Sequence, residues 1–522
     1  MLNKIRVRFA PSPTGYLHIG SLRTVLFGYL MAKTMKGTLI LRIEDTDQKR
    51  EVKGAVERLI NILDWLGIKF DEGPGVIRAA TNGAHTNLNM DVGEYGPYIQ
   101  SQRLEIYKKY QNLLLEKEGA YYCFCSEERL EKMRQQLLKK KLPSKYDRTC
   151  RTLTSEQVQK RLSRGEKYVI RQKMPLTGKT VVRDVLRGEI IFQNSDLEDH
   201  ILIKSNGIPT YQFAVVVDDY LMKISHVLRG EEWIPSFPKN ILLYGSFGWH
   251  PPEFIHLPLT LNKTGGKLSK RQDDVAVEDY KANGYLAEAL LNFSVLLGWH
   301  PKDEQEILSL TDMIKKFEYH NLGSSPAVFN SEKLDYFNGW YIRHKSLDEL
   351  TVLCLPFLVK AKIIEKFSIF NFQFSNSSKL KNKITGEEVT LDYIKKIVAL
   401  EQERLKKLSE IGELTRFFFE TEPVYEPELL VWKKMTLKQI KENLNLVYEL
   451  LKKIPEEDWT DDSIEEGVIN YLQAKQYKLG EYLWPMRVAL TGREGSPGPF
   501  EVAEVLGKEK SLKRIKEAIE KL

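Results

Sequence analysis

The stretch RFAPSPTGYLHIGSLRT, residues 8–24, restricts what this chain can fold into more than any other part of it. Before it, Ile5, Val7 and Phe9 alternate with Arg6 and Arg8, the period of a strand with one buried face. After it, Leu22, Val25, Leu26, Tyr29 and Leu30 keep the spacing of an amphipathic helix. LILRIED at 39–45 then reads as a second, mostly buried strand. Strand, turn, helix and strand within about 40 residues make a βαβ unit, and a βαβ unit implies a parallel sheet.

The turn holds two prolines, two glycines and one histidine. Gly15 can take backbone angles closed to other residues. Gly20, just inside the helix, offers no side chain against a flat ring that approaches the backbone. The helix start presents free N–H groups and the positive end of a dipole to an anion, and His18 there can donate to phosphate oxygens. On these residues alone a tight turn with a capping histidine is an equal reading.

At 522 residues the chain is too long for one core, and three to five domains are expected. Its hydrophobic content of 42% and charged content of 29% exclude a disordered chain. No apolar run approaches the roughly 18 residues of a membrane helix, and MLNKIRVRFAPSP lacks the apolar core of a secretory signal, so a cytoplasmic protein with no membrane partner is expected. The net charge is +7, yet Lys132–Lys173 alone carries 14 Lys and Arg against 3 Asp and Glu. Such a stretch suits a polyanion such as RNA, or is a solvated helical face. Four cysteines without a disulfide-like framework fit a reducing compartment.

Helices are expected over 47–66 and 101–142, a Gly- and Asn-rich surface loop over 73–97, and short strands over 167–192 about a Pro-Leu-Thr-Gly turn. Buried-strand character returns in AVVVDD, 214–219. From about 280 onward the texture is helical, with a polar patch near 371–390. TGGKLSKR at 264–271 combines two loop-freeing glycines with Lys267, Lys270 and Arg271 around Ser269. A mobile cationic loop suits a leaving pyrophosphate, where negative charge grows in the transition state; alone, the cluster reads better as solvated charge.

Together HIGS (18–21) and KLSKR (267–271) resemble the HIGH and KMSKS signatures of class I aminoacyl-tRNA synthetases. RFAPSPTGYLHIG, LRIEDTD, GEYGPYIQSQRLEIY, YQFAVVVDDYLMKISHVLRGEEW and MRVALTGREGSPG further resemble the bacterial-type glutamyl-tRNA synthetases over nearly the full length. Ser21 stands where the signature ends in His. The resemblance implies an α/β Rossmann-type catalytic core with an inserted α+β acceptor-binding domain, followed by an all-α anticodon-binding half. Its expected divisions are 1–100 with 190–255 for the core, 101–189 for the insertion, 256–330 for a stem-contact region carrying KLSKR, and 331–522 for the anticodon-binding domain.

The resemblance also implies a pocket for L-glutamate, in which Arg8 and Arg229 hold the carboxyl groups. Glu44 faces the ammonium, Tyr211 supplies a hydroxyl, and Ala10 and Ser12 line the wall. Independently of it, Arg8 and Glu44 end strands, beyond which ligands of open α/β sheets bind. Some relatives carry Asn where this chain has Val215. ATP is expected on Thr14, His18, Gly20, Ser21, Lys267, Ser269 and Lys270, with Mg²⁺ as charge partner and His18, Lys267 and Lys270 as the catalytic set. CFC at 123–125 and YDRTC at 146–150 resemble a structural zinc site of related synthetases, with Cys123, Cys125, Tyr146 and Cys150 as ligands and Thr152 at the position of an alternative His; three ordinary reduced thiols are the other reading. The implied partners are tRNA(Glu), or tRNA(Gln) as well in a non-discriminating enzyme, and the implied state is a monomer. Rival readings are a glutaminyl enzyme, a truncated paralogue that glutamylates a tRNA base, and a tRNA-binding paralogue without catalysis. Arg487 and Arg493 are candidates for tRNA contact or for structure.

Overall fold

The chain, a computed structural model, is described over residues 4–47, 52–74, 91–266, 268, 276–365 and 378–522. β1 (Arg6–Phe9) runs through the proline-bearing turn into α1 (Ile19–Thr34) and returns as β2 (Thr38–Leu41). The two strands pair in parallel from Arg6↔Thr38 to Phe9↔Leu41, as the βαβ reading requires. α2 (Ala55–Trp65) starts later than expected, because Gly54 holds a left-handed turn (φ 74°) immediately before it.

There follow α3 (Leu104–Glu116), β3 (Ala120–Cys123), α4 (Glu127–Lys139), α5 (Ser155–Ser163), β4 (Val169–Gln172), β5 (Lys179–Asp184), β6 (Gly188–Gln193), β7 (Ile201–Ile203), α6 (Tyr211–Leu221), β8 (His226–Gly230), α7 (Phe237–Phe247) and β9 (Glu253–Leu257). The main sheet has the order β2-β1-β8-β9-β5-β6 and is parallel except where β6 pairs antiparallel with β5. β3, β4 and β7 form a separate antiparallel sheet. The hairpin of β5 and β6 lies within 101–189 or just beyond, yet its hydrogen bonds go to the edge of the main sheet.

Two elements differ from the sequence expectation. Residues 101–142 are not one helical stretch: β3 interrupts them and carries Cys123. AVVVDD is not a strand but the middle of α6. Phe213 through Asp219 are buried on every side of that helix, so no polar stripe marks its period, and a short apolar run of this kind reads the same as a buried strand. The five residues Phe213–Val217 pack with Val182, Val227, Phe237 and Phe254 in one apolar cluster.

The chain divides into two compact units, Met1–Tyr280 with Ala287–Ser331, and Lys281–Leu286 with Glu332–Leu522. The second holds nine α-helices among the described residues, from Ser331–Arg343 to Lys508–Lys521, with one two-stranded ribbon of Lys379–Lys381 and Glu388–Thr390. Inside it Arg514 is 1% exposed and donates to three backbone carbonyls: Leu490 at 2.5 Å, Phe417 at 2.6 Å and Glu420 at 2.6 Å. Arg487 Nη1 is likewise spent internally, on the carbonyls of Ser496 (2.6 Å) and Pro497 (2.9 Å), which favours its structural reading. Among the described residues no helix is long and apolar enough to cross a membrane.

Candidate active site

A cavity of about 550 Å³ opens where β1 and β8 end. Its wall includes Arg8, Ala10, Ser12, Thr14, His18, Gly20, Ser21, Glu44, Tyr211 and Arg229, so one site gathers every expected glutamate residue and four expected ATP residues. Lys267, Ser269 and Lys270 lie outside the described residues; Leu268 between them lines the same cavity, held by its N–H to the Thr260 carbonyl (3.1 Å). Val215, in contrast, is buried in the apolar cluster.

The turn works through its histidine. His18 caps α1: its Nδ1 accepts the N–H of Gly20 at 3.0 Å, which puts the ring proton of the neutral imidazole on Nε2. Gly20 is small for a local reason. A Cβ there would stand 3.2 Å from His18 Nδ1, so the crowding is with the histidine itself. Gly15 takes φ 155°, consistent with the permissive role read from the sequence.

Behind the wall lies a buried lattice of opposite charges. Arg8 Nε donates to Asp219 Oδ1 at 3.1 Å. Arg42 is fully buried and reaches Asp219 at 2.8 Å and Glu44 at 3.0 Å. Asp218, adjacent in α6, accepts from Arg103 (2.7 Å), Tyr107 (2.8 Å) and Gln100 (2.9 Å). Burial would raise the Asp219 carboxyl, but Arg8 and Arg42 outweigh it and hold the group below its usual range. At Glu44 the balance tips the other way: burial pushes its pKa up to about 7 against the pull of Arg42 and Arg8. Arg229 differs from Arg8 in having no carboxylate partner among the described residues. Its Nε donates to His256 Nε2 (2.9 Å), its Nη1 to Asn240 Oδ1 (3.2 Å), and its buried Nη2 has no hydrogen-bond partner. Tyr211 packs against Trp233 with the rings tilted by 33° and their centroids 4.6 Å apart, at the same wall.

Sequence reasoning missed Asp219, Arg42, His256 and Asn240. The signal for Asp219 was present in the paired carboxylates that end the apolar run of α6. The others become visible only when β2, β8, β9 and α7 are side by side.

The thiols of Cys123, Cys125 and Cys150 lie within 4.8 Å of one another. Tyr146 reaches into the group, its hydroxyl 3.3 Å from Cys123 Sγ and 3.4 Å from Cys125 Sγ. Hydrogen bonding from Cys150 is the main cause that lowers the Cys123 thiol, which favours the thiolate form that binds a soft metal. Three sulfurs and a phenol oxygen converging on one point fit a four-coordinate zinc site.

This geometry, a phosphate-ready helix tip beside a charge-lined cavity at the carboxyl edge of a parallel sheet, is the arrangement of a class I synthetase. The family described as tRNA synthetases class I (E and Q), catalytic domain, matches residues 4–336, and the family described as anticodon binding domain matches 349–519. The chain is 43% identical over 522 residues to a glutamate–tRNA ligase of Clostridium botulinum (strain Eklund 17B / Type B), covering 99% of each. It is 44% identical over 527 residues to that of Clostridium acetobutylicum, covering 100% of this chain and 99% of the relative. A crystal structure of a glutamate tRNA ligase from Elizabethkingia meningosepticum, in complex with its amino acid, superposes with a TM-score of 0.82 at 33% identity, with 99% of each chain covered. The glutamate-tRNA synthetase of Elizabethkingia anophelis gives 0.81 at 34%, with 99% and 100% covered. The chain belongs to the glutamate–tRNA ligase family of class I aminoacyl-tRNA synthetases.

Proposed function

We propose that the chain ligates L-glutamate to tRNA(Glu) in two steps, forming glutamyl-adenylate from ATP and then transferring the glutamyl group to the terminal ribose. The observation that carries the reading is the cavity itself, where Arg8, Arg229 and Glu44 meet His18 of the helix tip. Two guanidinium groups and one carboxylate are the complement of an amino acid with two carboxylates and one ammonium. Arg8 and Arg229 take the carboxyl groups, Glu44 the ammonium, and Tyr211 a further hydrogen bond, with Ala10 and Ser12 as wall.

In the first step the α-carboxylate of glutamate attacks the α-phosphorus of ATP, the bond to the bridging oxygen breaks, and pyrophosphate leaves. ATP lies over Thr14, Gly20 and Ser21. His18 donates from Nε2 to the phosphate oxygens, and Lys267 and Lys270, with Ser269 between them, meet the charge that grows on the leaving pyrophosphate. No side chain becomes covalently modified, so positioning and electrostatics carry the rate. Mg²⁺, when bound to the nucleotide, neutralises part of the phosphate charge. In the second step a ribose hydroxyl of the tRNA attacks the mixed anhydride and AMP leaves.

Residues 1–100 with 190–255 form the catalytic domain in this reading, 101–189 the acceptor-binding insertion, 256–330 the stem-contact region and 331–522 the anticodon-binding domain. Cys123, Cys125, Cys150 and Tyr146 would hold a structural Zn²⁺ that pins the insertion. The enzyme acts as a monomer in the cytoplasm, the state and place that suit its family. The test is pyrophosphate exchange with ATP and glutamate, with and without tRNA, followed by charging of purified glutamate and glutamine tRNAs. Exchange that needs glutamate and tRNA, and charging confined to tRNA(Glu), is the expected result. Binding of tRNA without exchange refutes it.

A further inference from the structure

The hydrogen-bond partners of Arg229, 6% exposed, are neutral groups, as they are for Arg23 and Arg514 but not for Arg8 in the same cavity wall. A buried cation is ordinarily paired, since leaving it uncompensated costs several kcal/mol, on the order of 3–5. Arg8 and Arg42 follow that rule through Asp219, and Arg103 follows it through Asp218. Arg229 does not, although a carboxylate stands one residue away from it in space. That carboxylate is Asp184, at the end of β5, and the imidazole of His256 on β9 lies between the two.

The hydrogen bonds define the imidazole's state. Arg229 Nε is only a donor, so His256 Nε2 at 2.9 Å must be the acceptor and carry no proton. Asp184 Oδ2 is only an acceptor when ionised, so His256 Nδ1 at 2.8 Å carries the proton. The same Oδ2 accepts the backbone N–H of His256 at 2.9 Å, and Oδ1 accepts those of Leu186 (3.0 Å) and Arg187 (3.1 Å), so Asp184 is fixed from both sides. His256 has no exposed surface and Arg229 pairs with it across adjacent parallel strands. On its other edge Arg229 is fixed by Asn240, which in turn donates to Gln212 at 2.7 Å. What remains is Nη2, unpartnered, on a residue that lines the cavity.

We propose that His256, held by Asp184 as the Nδ1–H tautomer, is a positioning residue for Arg229: it fixes the guanidinium through an uncharged acceptor and so leaves its positive charge available to a substrate carboxylate. Direct contact with Asp184 would fix Arg229 equally well but would make it share its charge with a protein carboxylate, as Arg8 does with Asp219. The interposed ring separates orientation from charge compensation. The assignment rests on the reading of Arg229 as a substrate contact.

The test compares two isosteres. His256→Gln keeps an acceptor oxygen where Nε2 stood, whereas His256→Asn keeps the donor toward Asp184 and loses that acceptor. In pyrophosphate exchange with tRNA present, His256→Asn is expected to raise KM for glutamate about 10- to 100-fold while KM for ATP changes by less than about twofold, the worth of one hydrogen bond to a charged group. His256→Gln is expected to recover most of that loss. Equal effects of the two variants, or parallel rises in both KM values, overturn the proposal. A variant-independent check is ¹⁵N NMR of histidine-labelled wild-type enzyme: a His256 signal with Nε2 unprotonated supports it, and a proton on Nε2 overturns it. Arg229→Gln serves as the control on the underlying reading. If that substitution leaves KM for glutamate unchanged, Arg229 is not a substrate contact, whatever the His256 variants do.

Discussion

Glu44→Gln separates the charge of the cavity from its shape. Glu44 is buried and tied to Arg42 at 3.0 Å. Its pKa is raised from 4.5 to about 7. A carboxyl raised on folding is bound to its proton more tightly in the native state, so its ionisation lowers stability as pH rises from the unfolded value through the folded one. At pH 8 that penalty is on the order of 3 kcal/mol, from about 1.4 kcal/mol for each tenfold change in proton affinity. Gln mimics the protonated acid. The variant is therefore expected to hold or gain thermal stability at pH 8, with Arg42 still paired to Asp219. Substrate binding is expected to move in the opposite sense, because in the proposed reading the ammonium of glutamate needs the ionised carboxylate. In the wild type, KM for glutamate should rise as pH falls below about 7, approaching tenfold for each further drop of one in pH, and the slope should vanish in Glu44→Gln at a KM raised about 10- to 100-fold. Exchange assays from pH 6 to 8 at saturating ATP give both curves. A wild-type KM that is flat over that range, or a slope that survives the substitution, refutes the argument.

Gly20→Ala places a Cβ 3.2 Å from His18 Nδ1 and should lower kcat about tenfold or more by displacing the imidazole, with melting temperature unchanged. Lys267→Ala combined with Lys270→Ala should lower kcat about 10²- to 10³-fold while KM for glutamate stays within a few-fold, measured by exchange. Purified protein is expected to carry one zinc per chain and Cys150→Ser to carry less, read by elemental mass spectrometry; full retention would remove Cys150 from the ligand set. Arg514→Met leaves three buried carbonyls without their donor and should destabilise the helical unit by about 3 kcal/mol or more, seen in its own denaturation transition.

The parts of this site that sequence made legible are those built from adjacent residues. Strand period, turn residues and helix period follow one another between Ile5 and Leu30, and the structure places β1 and α1 there, with His18 as the cap. The cysteine group was legible for the same reason, since three thiols and Tyr146 fall within 123–150. Two kinds of feature escaped. α6 was read as a strand because burial on all sides erases the polar face that marks a helix. The charge lattice escaped because its partners meet only through the sheet: Arg8 and Asp219 are 211 positions apart, and His256 and Asp184 are 72. A carboxylate in sequence says nothing of which guanidinium it will pair with.

The most direct test of the account is amino-acid-dependent pyrophosphate exchange by the full chain in the presence of tRNA, run side by side with glutamate, glutamine and aspartate. Exchange with glutamate, and little with the other two, is the result expected of a cavity whose wall brings Arg8 and Arg229 together with Glu44. Equal exchange with glutamine would contradict it.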